Sequence, residues 1–584
     1  MLRVVFAPCQ AGRDCRRLLA TGPLHSEPMN RRSAFVLLVV FGAGVFLAGL
    51  ELMITAVALP SILADLADVS GSSAWVELRT ASWIINGYLL VYILVMPLAG
   101  RLADVWGVRR LFLAALAVFV LGSALAGAAQ DLDALIGARL IQALGGGVLV
   151  PVGTAAAAHL FEGPARPRAL GVIGALTFLG MAAGPFLGAA ILGSVHPDSA
   201  LAGAGLTGTT IATVAAPAWR WIFYLNIPIG LCGLALAWAA SAGWETSRRQ
   251  GRVDWIGAAV FGLALGSGLI ALTLIGAGEV AGSSLDPRLV TGALAALAGV
   301  ATLLSVLRAS RAGRAGDAFL EIGLFRHRAF SAAALVSLLT GYAFATAIIG
   351  GAVFVDRVLY GGADEQRLAL GALAAATALG ALASGFLVRV ASYRIVTVVG
   401  LALSVIGLAR MAGWTAATEI TTTAVDLAAF GLGFGLTVTP RSTAAIEAAG
   451  QGSFGAASSV VTVARMVGMA IGLAILTAYG STTIDRLSAE VYATPDAYRA
   501  YIPEALRDRP LRDPLVVEAL ESWASREAAS IMVGLFLVAA AVTAAAVPPA
   551  LALGGAPRRA RRASSPDGTR MLAGDDGREP DLVL

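Results

Sequence analysis

A chain of 584 residues in which 58% are hydrophobic and only 14% charged is too apolar for a water-soluble protein, where roughly 25% are charged. All 42 basic residues are arginines. The net charge of +5 does not indicate nucleic-acid binding, because basic residues in a membrane protein mark its cytoplasmic loops. Cys9, Cys15 and Cys232 have neither a metal-ligand spacing nor a disulfide pattern, and the four histidines are scattered. We therefore expect no metal site, no cofactor and no enzyme.

A helix that crosses a membrane needs about 20 mainly apolar residues. The segments that meet this requirement are 34–60, 82–103, 110–129, 133–160, 166–194, 219–242, 254–276, 288–308, 329–356, 366–389, 394–412, 421–446, 454–480 and 527–553. The sequence thus predicts an all-α integral membrane protein with 14 transmembrane helices.

Arginines are concentrated in alternate connections between these segments, which predicts that those connections face the cytoplasm. They include Arg101, Arg109, Arg110, Arg166, Arg168, Arg248, Arg249, Arg252, Arg308, Arg311, Arg314, Arg326, Arg328, Arg389 and Arg394. An even number of helices then places both termini in the cytoplasm. We expect a multi-pass protein of the bacterial inner membrane.

The segments outside the helices leave alternatives open. Residues 1–33 lack an apolar core long enough for a signal peptide, so they are either a disordered cytoplasmic tail or the product of a misassigned start, with Met29 as the true one. Residues 481–526 are either a solvated outer cap with one amphipathic helix or a docking surface for a periplasmic or surface partner. Residues 554–584 are charged and predicted to be a disordered cytoplasmic tail.

A faint internal repeat predicts the domain organisation. "GRLADVWGVRR" begins at Gly100, and a degenerate copy, "GFLVRVASYRI", begins at Gly385. Gly180 and Gly468 follow the two copies at a similar distance. Repeated halves are common in secondary transporters, whose substrate sites lie between them. We predict two six-helix bundles and two inserted linker helices, at 34–242, 329–553 and 254–308 respectively.

The first of these copies, at 100–110, joins the second and third helices. Gly100 and Gly107 permit close helix approach and a tight turn. Asp104 can pair with an arginine or cap a neighbouring helix N-terminus, and Arg109 and Arg110 face lipid headgroups.

This motif resembles the loop 2–3 motif of the major facilitator superfamily, which gates the cytoplasmic side by breaking and remaking charge contacts. Val105 departs from that motif, where a basic residue is usual. In the fourth helix, Arg139 and Gln142 are similar to the family's Arg-x-x-Gln-Gly-x-Gly motif, to which proton transfer is assigned; Ala143 replaces its first glycine. Arg139 has either that coupling role or a snorkelling role at the outer interface.

The fifth helix reads "GMAAGPFLGAA" from Gly180. Pro185 removes one backbone hydrogen bond, and Gly180, Gly184 and Gly188 form a small face for close packing. The order resembles the antiporter motif of drug-exporting facilitators, which implies export.

The first helix ends "LELMITAVALP", similar to a signature of the 14-helix drug:proton antiporter family, with Glu51 in place of aspartate. The segments 82–104 and 219–230 also resemble that family, and the likeness covers roughly 34–553. The chain is identified as a member of it.

The C-terminal half looks like the lipid- and drug-exporting 14-helix pumps of mycobacterial type. These pumps carry an acid in helix 1, an arginine in the penultimate helix and an acid in helix 5. Glu51 and Arg465 match the first two, whereas Phe178 stands at the third. Asp426, in the twelfth helix, is a secondary candidate.

A charge at the centre of a membrane helix costs about 2.5–3.5 kcal/mol, so buried charges usually pair. We expect Glu51 to pair with Arg465 across the two halves. Because arginine stays protonated, the glutamate would titrate and proton binding would release the arginine. One alternative is a static structural pair. The other is that the two side chains do not meet, because at about 1.5 Å per residue their depths in the predicted spans differ by several ångströms.

These patterns predict a proton-coupled exporter of lipophilic or amphiphilic compounds, that is, multidrug efflux by alternating access. A lipid exporter that works with a partner protein is the second hypothesis. A membrane sensor or scaffold that has lost transport is the third.

Overall fold

The computed structural model describes residues 31–66, 83–197, 203, 209, 214–242, 244, 246, 253–277, 286–312, 321–491, 494 and 496–554. Residues 1–30 and 555–584 lie outside this set. The N-terminal tail with its alternative start at Met29, and the C-terminal tail, therefore stay predictions.

The described part of the chain is helical and contains 14 helices long and apolar enough to cross a membrane. They are α1 (Arg31–Leu66), α2 (Trp83–Trp106), α3 (Val108–Ala128), α4 (Leu132–Leu160), α5 (Arg166–Ser194), α6 (Arg220–Ala240, in the two pieces Arg220–Tyr224 and Asn226–Ala240), α7 (Trp255–Ala277), α8 (Pro287–Ala312), α9 (Arg328–Arg357), α10 (Ala363–Leu387), α11 (Tyr393–Met411), α12 (Ile420–Ala449), α13 (Phe454–Val491) and α14 (Pro514–Ala544). The predicted all-α membrane architecture is confirmed.

Helix α13 continues past its predicted end to Val491, and α14 begins well before its predicted start, at Pro514. Between them, the side chains of Val491, Tyr498, Ile502 and Val516 form a small apolar cluster. The segment 481–526 thus contains extensions of two helices and two short 3-10 turns rather than one amphipathic helix. Its own core holds this cap together outside the apolar spans.

The first six and the last six helices meet through two main pairs, α2 with α13 and α5 with α10. At the arginine-rich end, Gly385 of α10 approaches α5 so closely that an added Cβ would lie 2.9 Å from the carbonyl oxygen of Pro167. Gly171 of α5 has a similar contact with the carbonyl of Ala381. Because glycine has no Cβ, these helix backbones can touch.

Helices α7 and α8 pack on each other, and α7 also lies against α2 and α13. Asp254 receives a hydrogen bond of 2.7 Å from Nη2 of Arg308, which ties the start of α7 to the end of α8. The hydrogen bond from the Arg308 guanidinium holds the pKa of the Asp254 carboxyl below its ordinary value. The pair of helices occupies the outside of the junction between α2 and α13.

Candidate functional site

Glu51 lies deep in α1 and is fully buried, with 0% of its surface exposed. Its Oε1 accepts hydrogen bonds from Nη1 of Arg139 and, at 3.1 Å, from Oγ1 of Thr55. Its Oε2 accepts a bond of 2.7 Å from Nδ2 of Asn226. One carboxylate therefore joins α1, α4 and α6, and its donors compensate the ionised form for the loss of water.

Arg139 is equally buried, at 1% exposure. Its Nη1 also donates to Oε1 of Gln142 at 2.7 Å, and its Nε donates to the carbonyl oxygen of Ile84 in α2 at 3.3 Å. The guanidinium carbon lies 4.0 Å from the centroid of the Tyr88 ring. Gln142 in turn donates to Ser123 of α3 at 2.7 Å. The head of Arg139 points into the bundle, so it does not snorkel to the membrane interface.

The glycines of the expected antiporter motif form the contact between α5 and the helix that carries the buried glutamate. Gly180, Gly184 and Gly188 all face α1, and a Cβ at Gly184 would lie 2.9 Å from the backbone nitrogen of Ile54. Pro185 lies inside α5 beside this contact. A larger residue at these positions would push the two helices apart.

Asp104 bridges the first six and the last six helices at the arginine-rich end. Its two carboxylate oxygens accept hydrogen bonds from the backbone nitrogens of Gly455 at 2.8 Å and Ala456 at 2.9 Å, in the first turn of α13. The first turn of a helix has unpaired N–H groups and a partial positive charge, which an aspartate satisfies. Gly100, one turn earlier in α2, packs directly against Gly455.

The rest of the loop motif fixes the start of α3. Gly107 has φ of +93°, a conformation that favours glycine, and separates α2 from α3. Nε of Arg109 donates to Oγ of Ser241, at the end of α6, at 2.7 Å. Arg110 is exposed, and Arg101 forms an ion pair of 3.5 Å with Glu321.

The expected pair of Glu51 with Arg465 does not form. Both α1 and α13 begin at the arginine-rich end; at 1.5 Å per residue, Glu51 lies about 30 Å and Arg465 about 17 Å along its helix. Arg139 occupies the position beside the glutamate instead. Depth along the helices therefore excludes the pair that the two isolated charges had suggested.

Within the described part of the chain, Arg465 makes neither an ion pair nor a hydrogen bond, and its Nε is buried without a partner. It is 8% exposed, and its guanidinium carbon lies 5.4 Å from the centroid of the Phe178 ring. The ring of Phe178 packs edge-on against Phe344 and Phe434. An aromatic ring on α5, rather than a carboxylate, faces this arginine.

A second buried arginine, Arg441 of α12, lines the same cleft as Arg465. It is 1% exposed, its Nη1 donates to Oγ1 of Thr340, and its Nε has no partner. The cleft lies between α4 and α5 of the first six helices and α12 and α13 of the last six.

Asp426 has its own partners at the opposite end of α12. Its Oδ1 accepts a hydrogen bond of 2.5 Å from Nε of Arg410, and its Oδ2 accepts one of 3.0 Å from the Trp414 indole. These contacts join α12 to the end of α11 and do not involve the cleft.

Comparison with known families identifies the chain. The model of the major facilitator superfamily matches residues 41–473, most of its length. The chain belongs to the major facilitator superfamily. The protein is therefore a multi-pass membrane transporter.

Two groups of relatives are similar over most of this transporter. It is 31% identical to a triacylglyceride transporter of Mycolicibacterium hassiacum over 433 residues, which cover 72% of this chain and 76% of that protein. It is 29% identical to a triacylglyceride transporter of Mycolicibacterium smegmatis, with 80% and 78% covered. It is 26% identical to multidrug resistance protein 3 of Bacillus subtilis, with 74% and 77% covered. The expected likeness to lipid- and drug-exporting members is confirmed.

Solved structures show the same fold. The proton:xylose symporter XylE aligns with a TM-score of 0.52 at 11% identity, over 88% of this chain and 95% of that one. A bacterial homologue of the human lysosomal transporter Spinster aligns with a TM-score of 0.51 at 17% identity, over 91% and 100%. At these identities, the likeness defines the fold of the transporter only.

Three polar residues of the site were not predicted from the sequence of this transporter. Asn226 stands in "YLNIPIG" inside the sixth span, and Ser123 in an apolar stretch of the third, where single polar residues are common. Arg441 gave a clearer signal, because it lies inside the predicted span 421–446 and an arginine within a span needs a partner or a cavity.

Proposed function

We propose that the transporter exports lipophilic or amphiphilic compounds in exchange for protons and that Glu51 is the group that binds the proton. The observation that carries this proposal is the fully buried contact between Glu51 and Arg139. Arginine stays protonated under any accessible condition, so the carboxylate is the member of the pair that can change its charge.

Protonation would change the forces that hold three helices together. An ionised Glu51 attracts Arg139 and accepts hydrogen bonds from α4 and α6, whereas a neutral carboxyl loses the attraction to the guanidinium. Arg139 keeps Gln142 and the Ile84 carbonyl as alternative acceptors. Proton binding would therefore weaken the contacts of α1 with α4 and α6, while Arg139 would keep two hydrogen-bond acceptors.

The closed arginine-rich end indicates the order of events. Asp104 on the first turn of α13, and the close contact of α5 with α10, hold the two halves together there. If this end faces the cytoplasm of a bacterial inner membrane, with both termini inside, its closure blocks access from the cytoplasm, and a proton would reach Glu51 from the outer side. The substrate would leave to the same outer side, before the proton binds. The arginine-rich connections support that orientation.

Transport in inverted membrane vesicles with a fluorescent amphiphilic dye tests the coupling. We expect Glu51→Gln to abolish dye accumulation driven by a pH gradient, because glutamine keeps the shape but cannot titrate. Glu51→Asp should retain part of it. Glu162→Gln, at an exposed carboxylate between α4 and α5, is the matched control. Gradient-driven accumulation by Glu51→Gln at the wild-type rate would exclude the proposed role.

Lipid export is the second candidate function, because relatives that cover most of this chain are named triacylglyceride transporters. The folded cap formed by the ends of α13 and α14 offers a surface outside the membrane where a lipid-accepting partner could dock. Vesicles loaded with labelled triacylglyceride and, separately, with dye would distinguish the two substrates. Replacement of residues 496–512 by a short Gly/Ser linker should then impair lipid release but leave dye transport intact.

A further inference from the structure

The cleft between the two halves contains an uncompensated positive charge. Arg441 and Arg465 both line it, and both have an Nε atom that is buried without a hydrogen-bond partner. Neither forms an ion pair within the described residues. Buried charges are normally paired or coordinated, so the site lacks a negative group.

The helices that form the cleft cannot supply that group. Their central parts, residues 134–160, 166–194, 427–446 and 454–484, contain no aspartate or glutamate. Two buried acids on other helices have partners of their own: Glu51 with Arg139, and Asp104 with the first turn of α13. No carboxylate among the described residues pairs with either arginine, so a ligand can supply the negative group.

Four of the five hydroxyl groups that line the cleft, all except that of Ser442, already donate to carbonyl oxygens. Thr154, Thr177 and Thr462 each donate to a carbonyl of their own helix, at 2.9, 3.0 and 2.8 Å. Ser458 donates to the carbonyl oxygen of Pro151 at 2.9 Å. The Nε–H groups of Arg441 and Arg465 are buried without an acceptor and therefore remain available to a ligand.

The wall beside the arginines is apolar. Phe344 and Phe434 stack on each other with ring centroids 4.5 Å apart, and the edge of Phe178 completes the group. Val150 and Ile173 line the cleft on the other side. A molecule that fits this site has one compact anionic group and an apolar body.

We propose that the cleft binds the anionic headgroup, a phosphate or carboxylate, of an amphiphilic substrate, and that Arg441 and Arg465 together hold it. Guanidinium groups bind such oxyanions through charge-assisted hydrogen bonds. This inference rests on the proposed export function and narrows its substrate class to anionic amphiphiles. The negative charge of the bound substrate then neutralises the two arginines of the cleft while the contacts between the two halves change during transport.

Binding in nanodiscs of phosphatidylcholine tests this inference without a proton gradient, so the result does not depend on coupling at Glu51. The probes are lysophosphatidic acid and lysophosphatidylcholine with the same fluorescent tail, and empty nanodiscs correct for partitioning. We expect the wild-type protein to bind the anionic probe about tenfold tighter or more, because its headgroup carries the charge that the arginines lack.

Arg441→Gln and Arg465→Gln should each reduce this preference, and the double variant should abolish it. Arg394→Gln removes an exposed arginine outside the cleft and should leave the preference unchanged. Phe178→Glu keeps both arginines and places a carboxylate beside Arg465, so it should abolish the preference even if the arginine variants fold poorly.

A wild-type protein that binds both probes equally would overturn the inference, as would a preference that survives in the double variant and in Phe178→Glu. Competition with inorganic phosphate distinguishes a site for a free anion from a site for a lipid headgroup. Unlabelled lysophosphatidic acid should displace the probe at concentrations where phosphate does not. Equal displacement by the two would assign the site to a free anion and contradict the amphiphile.

Discussion

Buried charge is balanced in the Glu51–Arg139 cluster of the first six helices but not in the Arg441–Arg465 cluster of the last six. In the first six, Glu51 and Arg139 neutralise each other, and Gln142 and Asn226 satisfy their remaining atoms. In the last six, Arg441 and Arg465 face a cleft without a carboxylate. A paired charge can respond to a proton, whereas an unpaired one can respond to a ligand of opposite charge. The difference gives each half of the transporter a separate proposed task.

The largest expected effect comes from breaking the paired cluster. Glu51→Ala leaves Arg139 buried without its carboxylate, which should cost about 3–5 kcal/mol of stability. Thermal unfolding of the purified protein, followed by tryptophan fluorescence, measures the loss. Glu162→Ala, at an exposed position, is the control, and a further Arg139→Met exchange should recover much of the stability. An unchanged unfolding temperature in Glu51→Ala would contradict the described pairing.

A smaller effect is expected where a helix end, rather than an arginine, balances a buried acid. Asp104→Asn keeps an acceptor near Gly455 and Ala456 but removes the charge, which should cost about 0.5–2 kcal/mol and open the arginine-rich end more often. The measurement is labelling of a cysteine at Ser458 by an impermeant reagent, in a background without the native cysteines. Arg110→Gln is the control. Equal labelling of the Asp104→Asn and Arg110→Gln variants would show that Asp104 does not keep the arginine-rich end closed.

The smallest effect is expected in the unpaired cluster. Arg465→Gln removes a buried charge that has no partner, so stability should change by less than about 1 kcal/mol or increase. Thermal unfolding in detergent without added anionic lipid is the measurement, with Arg394→Gln as the control. A loss as large as that of Glu51→Ala would mean that Arg465 has a structural partner, and the contrast between the halves would disappear.

Contacts between distant parts of the chain decide which buried charges meet, and no single segment of the sequence contains those contacts. Glu51 and Arg465 stood out because each interrupts an apolar span, but the position of one helix against another set their separation. Arg139 was a candidate for proton coupling or for snorkelling, and in the structure it is the partner of Glu51. Arg441 was missed although it lies inside the predicted span 421–446, where an arginine needs a partner or a cavity.

The sequence by itself determined that the protein lies in a lipid bilayer. It also determined the number of helices, the family and the positions of the loop and antiporter motifs. These follow from local properties: apolar length, arginine placement and the spacing of glycine and proline within a few turns. The tertiary structure alone decided that Asp104 closes on α13, that Glu51 pairs with Arg139, and that Arg441 and Arg465 share one cleft. Those contacts depend on the depth and rotation of packed helices, which result from side-chain packing across the whole bundle.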